Sequence, residues 1–302
     1  MTSLPRPRPL ALTCAFAALL LGMAYMALAG APLRYFAVNG GAFAIGLLLL
    51  PAIDRAGVND DVPSGALPLV LAVGLLASAL FAQPVGGASR WLLIGPLAVQ
   101  PSLVVLPAML VAHAKRPGRL GDGAMILAAL AVALQPDRAM AAALVAGLAV
   151  LRLSNGAARR RLPFAASLAA FAVTMLRPDT QPAMPWVDQI LYTAFDVGLP
   201  AGLAVLGGSA LLLAPALPAL LTDHPGHTPL RVFGAVWLAL IAAAALGNYP
   251  TPMVGYSGSA VLGYVLALAV LPRQRAGTRD RARPPGTPSR HDEGLACVPL
   301  AA

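Results

Sequence analysis

Asp188 and Asp196 stand eight residues apart in a stretch otherwise free of charge, and Gly202 follows six residues later. A carboxylate at the head of an apolar helix can act as a general base where it reaches the proton it removes. It can equally stabilise the positive end of the helix dipole, so both roles stand open for Asp188. Asp196 falls about 12 Å further along the same helix, counting rise per residue. An ionisable group at such depth is costly and marks a functional position. Arg90 and Trp91 pair a cation for phosphates with an amphipathic ring, a combination that also suits a plain interfacial anchor. Gln100 and Ser102 follow them, and Gln135-Pro136-Asp137-Arg138 makes a compact polar turn between apolar runs. Pro250-Thr251-Pro252-Met253-Val254-Gly255-Tyr256-Ser257-Gly258-Ser259 breaks the backbone just where an apolar run begins. Such breaks are tolerated at membrane depth where they line a cavity. His224 and His227 beside Asp223 have a metal-like spacing without a convincing third ligand, so no metal site is expected. Asp60 and Asp61 read as a solvated loop.

The elements that carry these residues follow from composition. Of 302 residues, 58% are hydrophobic and only 11% charged, where a soluble domain carries roughly 25%. So little polar surface cannot cover a protein in water, and lipid must cover much of this one. A helix needs about 20 apolar residues to cross the hydrocarbon core. Apolar runs bounded by charge, proline or glycine predict an all-α, polytopic transmembrane bundle of about ten spans. They fall near 10–31, 34–53, 66–82, 98–114, 122–135, 138–153, 163–176, 187–221, 230–247 and 255–272. The fifth to seventh runs are short, and 122–153 as one re-entrant hairpin would give eight spans instead. Arg6, Arg8 and Ala27-Leu28-Ala29 imitate a secretory leader, but the run is long enough to span and many spans follow.

Net charge is +9, and its placement speaks of orientation rather than nucleic acid, because no basic patch is interleaved with aromatics. With the N-terminus inside, seventeen of the 21 Lys and Arg fall on the cytoplasmic side: Arg6, Arg8, Arg55, Lys115, Arg116, Arg119, Arg152, Arg159, Arg160, Arg161, Arg231 and six in the tail. Arg34, Arg90, Arg138 and Arg177 fall outside. This is the bias that positive charge imposes on topology. The expected organisation is a cytoplasmic N-terminus over 1–9, a transmembrane domain over 10–272, and a disordered basic cytoplasmic tail over 273–302. Cys14 and Cys297 lie at opposite ends of the chain and imply no disulfide framework.

Taken in order, the motifs resemble those of the SEDS family of bacterial cell-wall polymerases, which includes FtsW, RodA and SpoVE. The family reads approximately Asn-Gly-Ala-Arg-Arg-Trp-Ile, two residues, Gly, four residues, Gln-Pro-Ser-Glu. Within Gly86–Ser102, Arg90, Trp91, Gly95, Gln100, Pro101 and Ser102 fall in register with it. Gln135-Pro136-Asp137 matches the family's turn between its fifth and sixth helices. Tyr256 and Ser259 sit in register in the segment before the last span, and Asp188, Asp196 and Gly202 reproduce a family spacing. The resemblance covers 86–272; residues 1–85 agree only as hydrophobic spans.

The resemblance implies a multi-pass protein of the bacterial inner membrane, a peptidoglycan glycosyltransferase that polymerises lipid II at that membrane's outer face, in cell shape or division. Asp188 would be the catalytic base. Arg90, Trp91, Gln100, Ser102, Gln135, Asp137, Arg138, Asp196, Tyr256 and Ser259 would bind substrate or support its binding. A divalent cation could accompany the lipid diphosphate, and no other cofactor is implied. The implied partners are a class b penicillin-binding protein and membrane lipid. The chain departs from the pattern in three places. The family's Glu and Lys are Leu103 and Leu106 here, and the only glutamate is Glu293. The outer loop before Asp188 is also short. These departures keep open a non-catalytic scaffold or regulator of wall synthesis. A lipid flippase or transporter is the third alternative.

Overall fold

The computed structural model describes residues 7–56, 65–81, 89–154, 161–178, 181–222 and 224–272. The expected tail, residues 1–6, Gly86-Gly87-Ala88, Asp60, Asp61 and Asp223 lie outside the described residues. Twelve α-helices and one two-stranded ribbon follow one another: α1 (Pro7–Leu28), α2 (Leu33–Ala56), α3 (Ala66–Phe81), β1 (Leu92–Ile94), β2 (Leu97–Val99), α4 (Pro101–Lys115), α5 (Arg119–Leu134), α6 (Arg138–Ser154), α7 (Arg161–Leu176), α8 (Ile190–Val197), α9 (Leu199–Leu213), α10 (Leu217–Leu221), α11 (Thr228–Leu246) and α12 (Gly258–Val270).

Arg8–Leu28, Leu33–Ile53, Leu199–Leu221 and Thr228–Leu246 are each long and apolar enough to cross a membrane. Ala66–Phe81, Pro101–Lys115, Arg161–Leu176 and Gly258–Val270 are shorter apolar helices. The chain is a polytopic helical bundle of ten legs when α8 to α10 are taken as one broken leg. α5 has 16 residues and α6 has 17, or about 24–26 Å at the standard rise. They are no shorter than α4 or α12, but unlike those two they fall outside the apolar set. Against the expected runs 122–135 and 138–153, α5 begins three residues earlier, at Arg119, and α6 ends one residue later, at Ser154.

The predicted span over 187–221 is corrected into three pieces. Gly198, at φ +151 and followed by Leu199 and Pro200, ends α8 and starts α9. Proline lacks the N–H that a continuous helix would need, which fixes the break there. A 3₁₀ turn, Ala214–Ala216, separates α9 from α10. The fourth span starts at Pro101 rather than residue 98, because β1 and β2 form an antiparallel hairpin pairing Leu92 with Val99. Its turn has Gly95 at φ +58 before Pro96, and a glycine with positive φ at the first central position is the II′ hairpin preference.

α4, α6, α11 and α12 form the centre, with α3, α5 and α7 along one side and α1, α2 and α9 along the other. Buried side chains of α4, α6, α11 and α12, including Leu106, Met109, Leu144, Trp237 and Tyr264, make the main core. A smaller cluster of Tyr25, Tyr35, Ile190, Val205 and Val254 lies beneath the loop that carries Asp188. Close approach is what glycine allows here: a Cβ on Gly263 of α12 would collide with the Leu103 carbonyl of α4. Arg8, at the start of α1, donates through Nη2 to the Ala269 carbonyl near the end of α12 at 2.5 Å. The first helix therefore begins at the end of the bundle where the last helix stops.

Candidate functional site

The opposite end of the bundle gathers the start of α4, the α5–α6 turn, the 181–189 loop and the 247–257 segment. Asp137 is the electrostatic centre of the first group. It is fully buried and precedes α6, where its Oδ1 accepts from the Met140 N–H at 3.2 Å. That is the geometry of a helix N-cap, satisfying one of the orphan donors of the first turn. Its Oδ2 accepts from Gln100 Nε2 at 2.8 Å and from Ser102 Oγ at 3.1 Å. Three donors supply the compensation that a buried carboxylate requires. The Gln100 backbone N–H donates to Ser259 Oγ at 2.9 Å. Three separated motifs, at 100–102, 135–137 and 259, thus meet in one hydrogen-bonded cluster.

Arg90 is also buried, at 4% exposure, and donates through Nη2 to the Pro136 carbonyl at 2.6 Å. Its guanidinium carbon lies 6.0 Å from the Trp91 ring centre and 5.6 Å from that of Tyr249, within cation–π range. Gln135, fully buried, turns away from this group and donates to Ser78 Oγ on α3 at 3.1 Å. A small cleft of about 10 Å³, roughly the space of one water, is lined by Gln100, Leu103, Met140, Leu240, Tyr249 and Pro252. Leu103 and Leu106, which stand where the family pattern has Glu and Lys, are both buried in the apolar core.

Asp188 lies in the 181–189 loop and is 9% exposed. Its Oδ2 accepts from the Met184 N–H at 2.9 Å, which closes a one-turn loop. The neighbouring Val187 carbonyl accepts from the Thr251 N–H at 3.0 Å, and the Trp186 carbonyl accepts from the Tyr256 N–H at 2.8 Å. The 249–256 segment is therefore a shared wall: its first residue faces Arg90 and its later ones hold the Asp188 loop. Among the described residues, Trp186, Gln189 and Met253 have positive φ without being glycine. All three fall in the Asp188 loop or this wall, and strained backbone of that kind clusters at functional sites.

Other expected residues are placed elsewhere. Arg138 reaches the far side of its turn, where Nε donates to the Thr174 carbonyl at 3.1 Å and Nη2 donates to that of Arg177. It closes the end of α7, where carbonyls lack helical partners. Asp196 is exposed on α8, on the face opposite the buried Ile190, Leu191 and Ala194. Gly202 has a packing reason, since the Phe195 ring lies over it where a Cβ would stand. Trp91 is half-buried. Tyr256 stacks on Tyr35 with centroids 3.8 Å apart and an interplanar angle of 11°. His224 and His227 bond their own loop, through the Gly226 N–H and Thr222 Oγ1.

The sequence reading missed Asn39, Tyr35 and Tyr249. Asn39 is fully buried in α2; it donates to the Gly255 carbonyl at 2.9 Å and accepts from the Ser257 N–H at 3.1 Å. It pins the break before α12, where backbone groups have no helical partner. A single asparagine inside an apolar run was the available signal.

For a divalent cation the fit is poor. No group of three or more metal-ligating side chains gathers among the described residues. Asp137 and Asp188 each already accept a backbone N–H. The chain offers a cation no ligand set of its own among those residues.

The fold is shared with solved structures. Rod shape determining protein RodA of Thermus thermophilus superposes with a TM-score of 0.59 at 21% identity, over 86% of this chain and 94% of that one. A chain from a peptidoglycan synthase complex that coordinates polymerisation and crosslinking superposes with a TM-score of 0.55 at 21% identity, over 86% of this chain and 95% of that one. No protein-family model and no curated protein matches the chain.

Proposed function

We propose that this chain is a divergent, short SEDS-type protein of peptidoglycan synthesis, acting at the outer face of the bacterial inner membrane. The fold shared with RodA supports the reading, as does the hydrogen-bonded meeting of Gln100, Ser102, Asp137 and Ser259 from separated matching motifs. The observation that carries it is the nearly buried carboxylate of Asp188, held beside a wall that also faces a buried arginine.

In the proposed reaction the Asp188 carboxylate takes the proton from an acceptor sugar hydroxyl of a lipid-linked saccharide. The freed oxygen attacks the anomeric carbon of the donor lipid II, and the undecaprenyl diphosphate leaves with the bonding pair. Arg90 supplies positive charge where the diphosphate develops negative charge, as preorganised electrostatic stabilisation requires. Tyr256 and Trp91 complete the outer rim, and Arg138 ties the α5–α6 turn to the end of α7. Asp137, Gln100, Ser102, Ser259 and Gln135 position the turn that receives Arg90. Asp196 supports the broken leg along which the lipid would lie. A class b penicillin-binding protein is the expected partner, in keeping with a shared fold in a complex that coordinates polymerisation and crosslinking.

The test is lipid II polymerisation by the purified full-length chain, with and without such a partner. Loss of a general base costs about 10²- to 10⁴-fold in rate, so Asp188→Asn should retain the fold and lose most of its activity. An Asp188→Ala variant as active as the parent ends the catalytic role. A second reading is favoured by Leu103 and Leu106, which remove an acid and a cation from the core beside the cleft. In that reading the chain is a non-catalytic scaffold or regulator of the same machinery. It predicts no polymerisation even with the partner bound, and an Asp188→Asn variant that fully complements loss of the gene.

A further inference from the structure

From Trp91 to Ala114 no residue carries a formal charge except on protonation of His113. The first part of this stretch is the β1–β2 hairpin, a ribbon without a protein core on either face. Leu93, Ile94 and Leu97 are 66%, 62% and 40% exposed. Successive strand residues point to opposite faces, so Leu93 and Ile94 project to opposite sides of the ribbon, and both are bare. A hairpin in water normally hides one apolar face and wets the other; this one has no polar face to wet. Its three-residue strands reach roughly 10 Å from the base, which is about the depth of a headgroup layer with the first acyl carbons.

The base of the ribbon adds an independent constraint. Val99 and Gln100 lead directly into α4, a leg of the membrane bundle, and Gln100 is tied to Asp137 and Ser259. At the other strand's base Trp91 is half-buried beside Arg90, and tryptophan is enriched at the membrane interface. The ribbon thus springs from the site end of the bundle, with a tryptophan at its root.

We infer that the β1–β2 hairpin is a lipid anchor that inserts Leu93, Ile94 and Leu97 into the outer leaflet beside the site. This assignment needs only the membrane fold and does not depend on the proposed chemistry. Where both hold, the anchor fixes the depth of Arg90 against lipid headgroups.

The full-length chain, with Cys297→Ser and the buried Cys14 left in place, would carry an environment-sensitive fluorophore at Leu93→Cys or Ile94→Cys. Leu97→Cys gives a third site should either misfold. The protein is reconstituted alone in vesicles of phosphatidylethanolamine and phosphatidylglycerol. Nitroxide-labelled lipid and aqueous iodide are the quenchers, with Leu238→Cys as the lipid reference and Ala183→Cys, exposed in the 181–189 loop at the same end as the ribbon, as the water reference. The expected result is blue-shifted emission, quenching by the nitroxide lipid to the level of Leu238→Cys, and no loss of signal to iodide. Iodide quenching at the level of Ala183→Cys would place the ribbon in water and overturn the anchor. Protection from both quenchers would overturn it as well, because the ribbon would then be folded against protein as a cover over the cleft.

Discussion

At Asp137, three donors converge on one buried carboxylate: the Gln100 amide, the Ser102 hydroxyl and the Met140 N–H. Truncation removes the acceptor and leaves all of them in a cavity closed to water. Each unsatisfied buried group costs about 1–3 kcal/mol, so Asp137→Ala should lower stability by about 3 kcal/mol or more. Asp137→Asn retains one oxygen. If that oxygen keeps Gln100 and Ser102, its new amide faces the Met140 N–H and only the cap is lost, worth about 1 kcal/mol. Thermal unfolding in detergent checks the order, parent above Asn above Ala. An Ala variant as stable as the parent would show that the cluster is open to water. This residue differs in kind from Asp188, which makes a carboxylate bond to its own loop at Met184 and keeps a little exposure. The two acids, read from the sequence as base and support, differ in their surroundings: Asp137 is fully buried and Asp188 is 9% exposed.

At the scale of elements, helices approach as far as their smallest residues allow. Gly263 lets α12 lie against the Leu103 carbonyl of α4, and Gly22 of α1 lies where its Cβ would be 2.6 Å from the Val254 Cα. Both obstacles are backbone, which cannot rotate aside. Gly263→Ala and Gly22→Ala should therefore cost about 1–3 kcal/mol each, as overpacking does. Gly202→Ala meets only the Phe195 ring, which is 40% exposed and free to swing outward, so its cost should be well below theirs. Unfolding midpoints of the three variants test this contrast directly, and equal losses would refute it. The same elements show what sequence could reveal. Long apolar runs mark spans because lipid demands them, so the ten legs were legible. The hairpin was not, since Leu97, Ala98 and Val99 are as apolar as the helix they precede and hydropathy does not separate a ribbon from a helix. The break at Gly198 was legible in Gly-Leu-Pro but was absorbed into one long run. The pairing of Gln100 with Asp137 could not be read from either motif alone, because it exists only once α4 and α6 are packed.

For the whole molecule, the decisive question is which end of the bundle faces the cytosol. The Arg8 contact with Ala269 puts the start of the first helix and the end of the last at one end, as an even number of spans demands. Arg90, Asp137 and Asp188 gather at the other. Seventeen of 21 basic residues fall on the first end in the sequence reading, and such an excess is retained in the cytoplasm. The site end should therefore face outward. A membrane-impermeant maleimide applied to intact bacterial spheroplasts should modify Ser89→Cys, next to Arg90, and spare the native Cys297 until the membrane is permeabilised. Cys14 is buried and should stay silent in both conditions. The converse pattern would leave the fold as it is and turn the Asp188 loop toward the cytosol. No glycan strand could then be built there for a wall that lies on the other side, so this labelling experiment bears on the proposed chemistry before any enzymology is attempted.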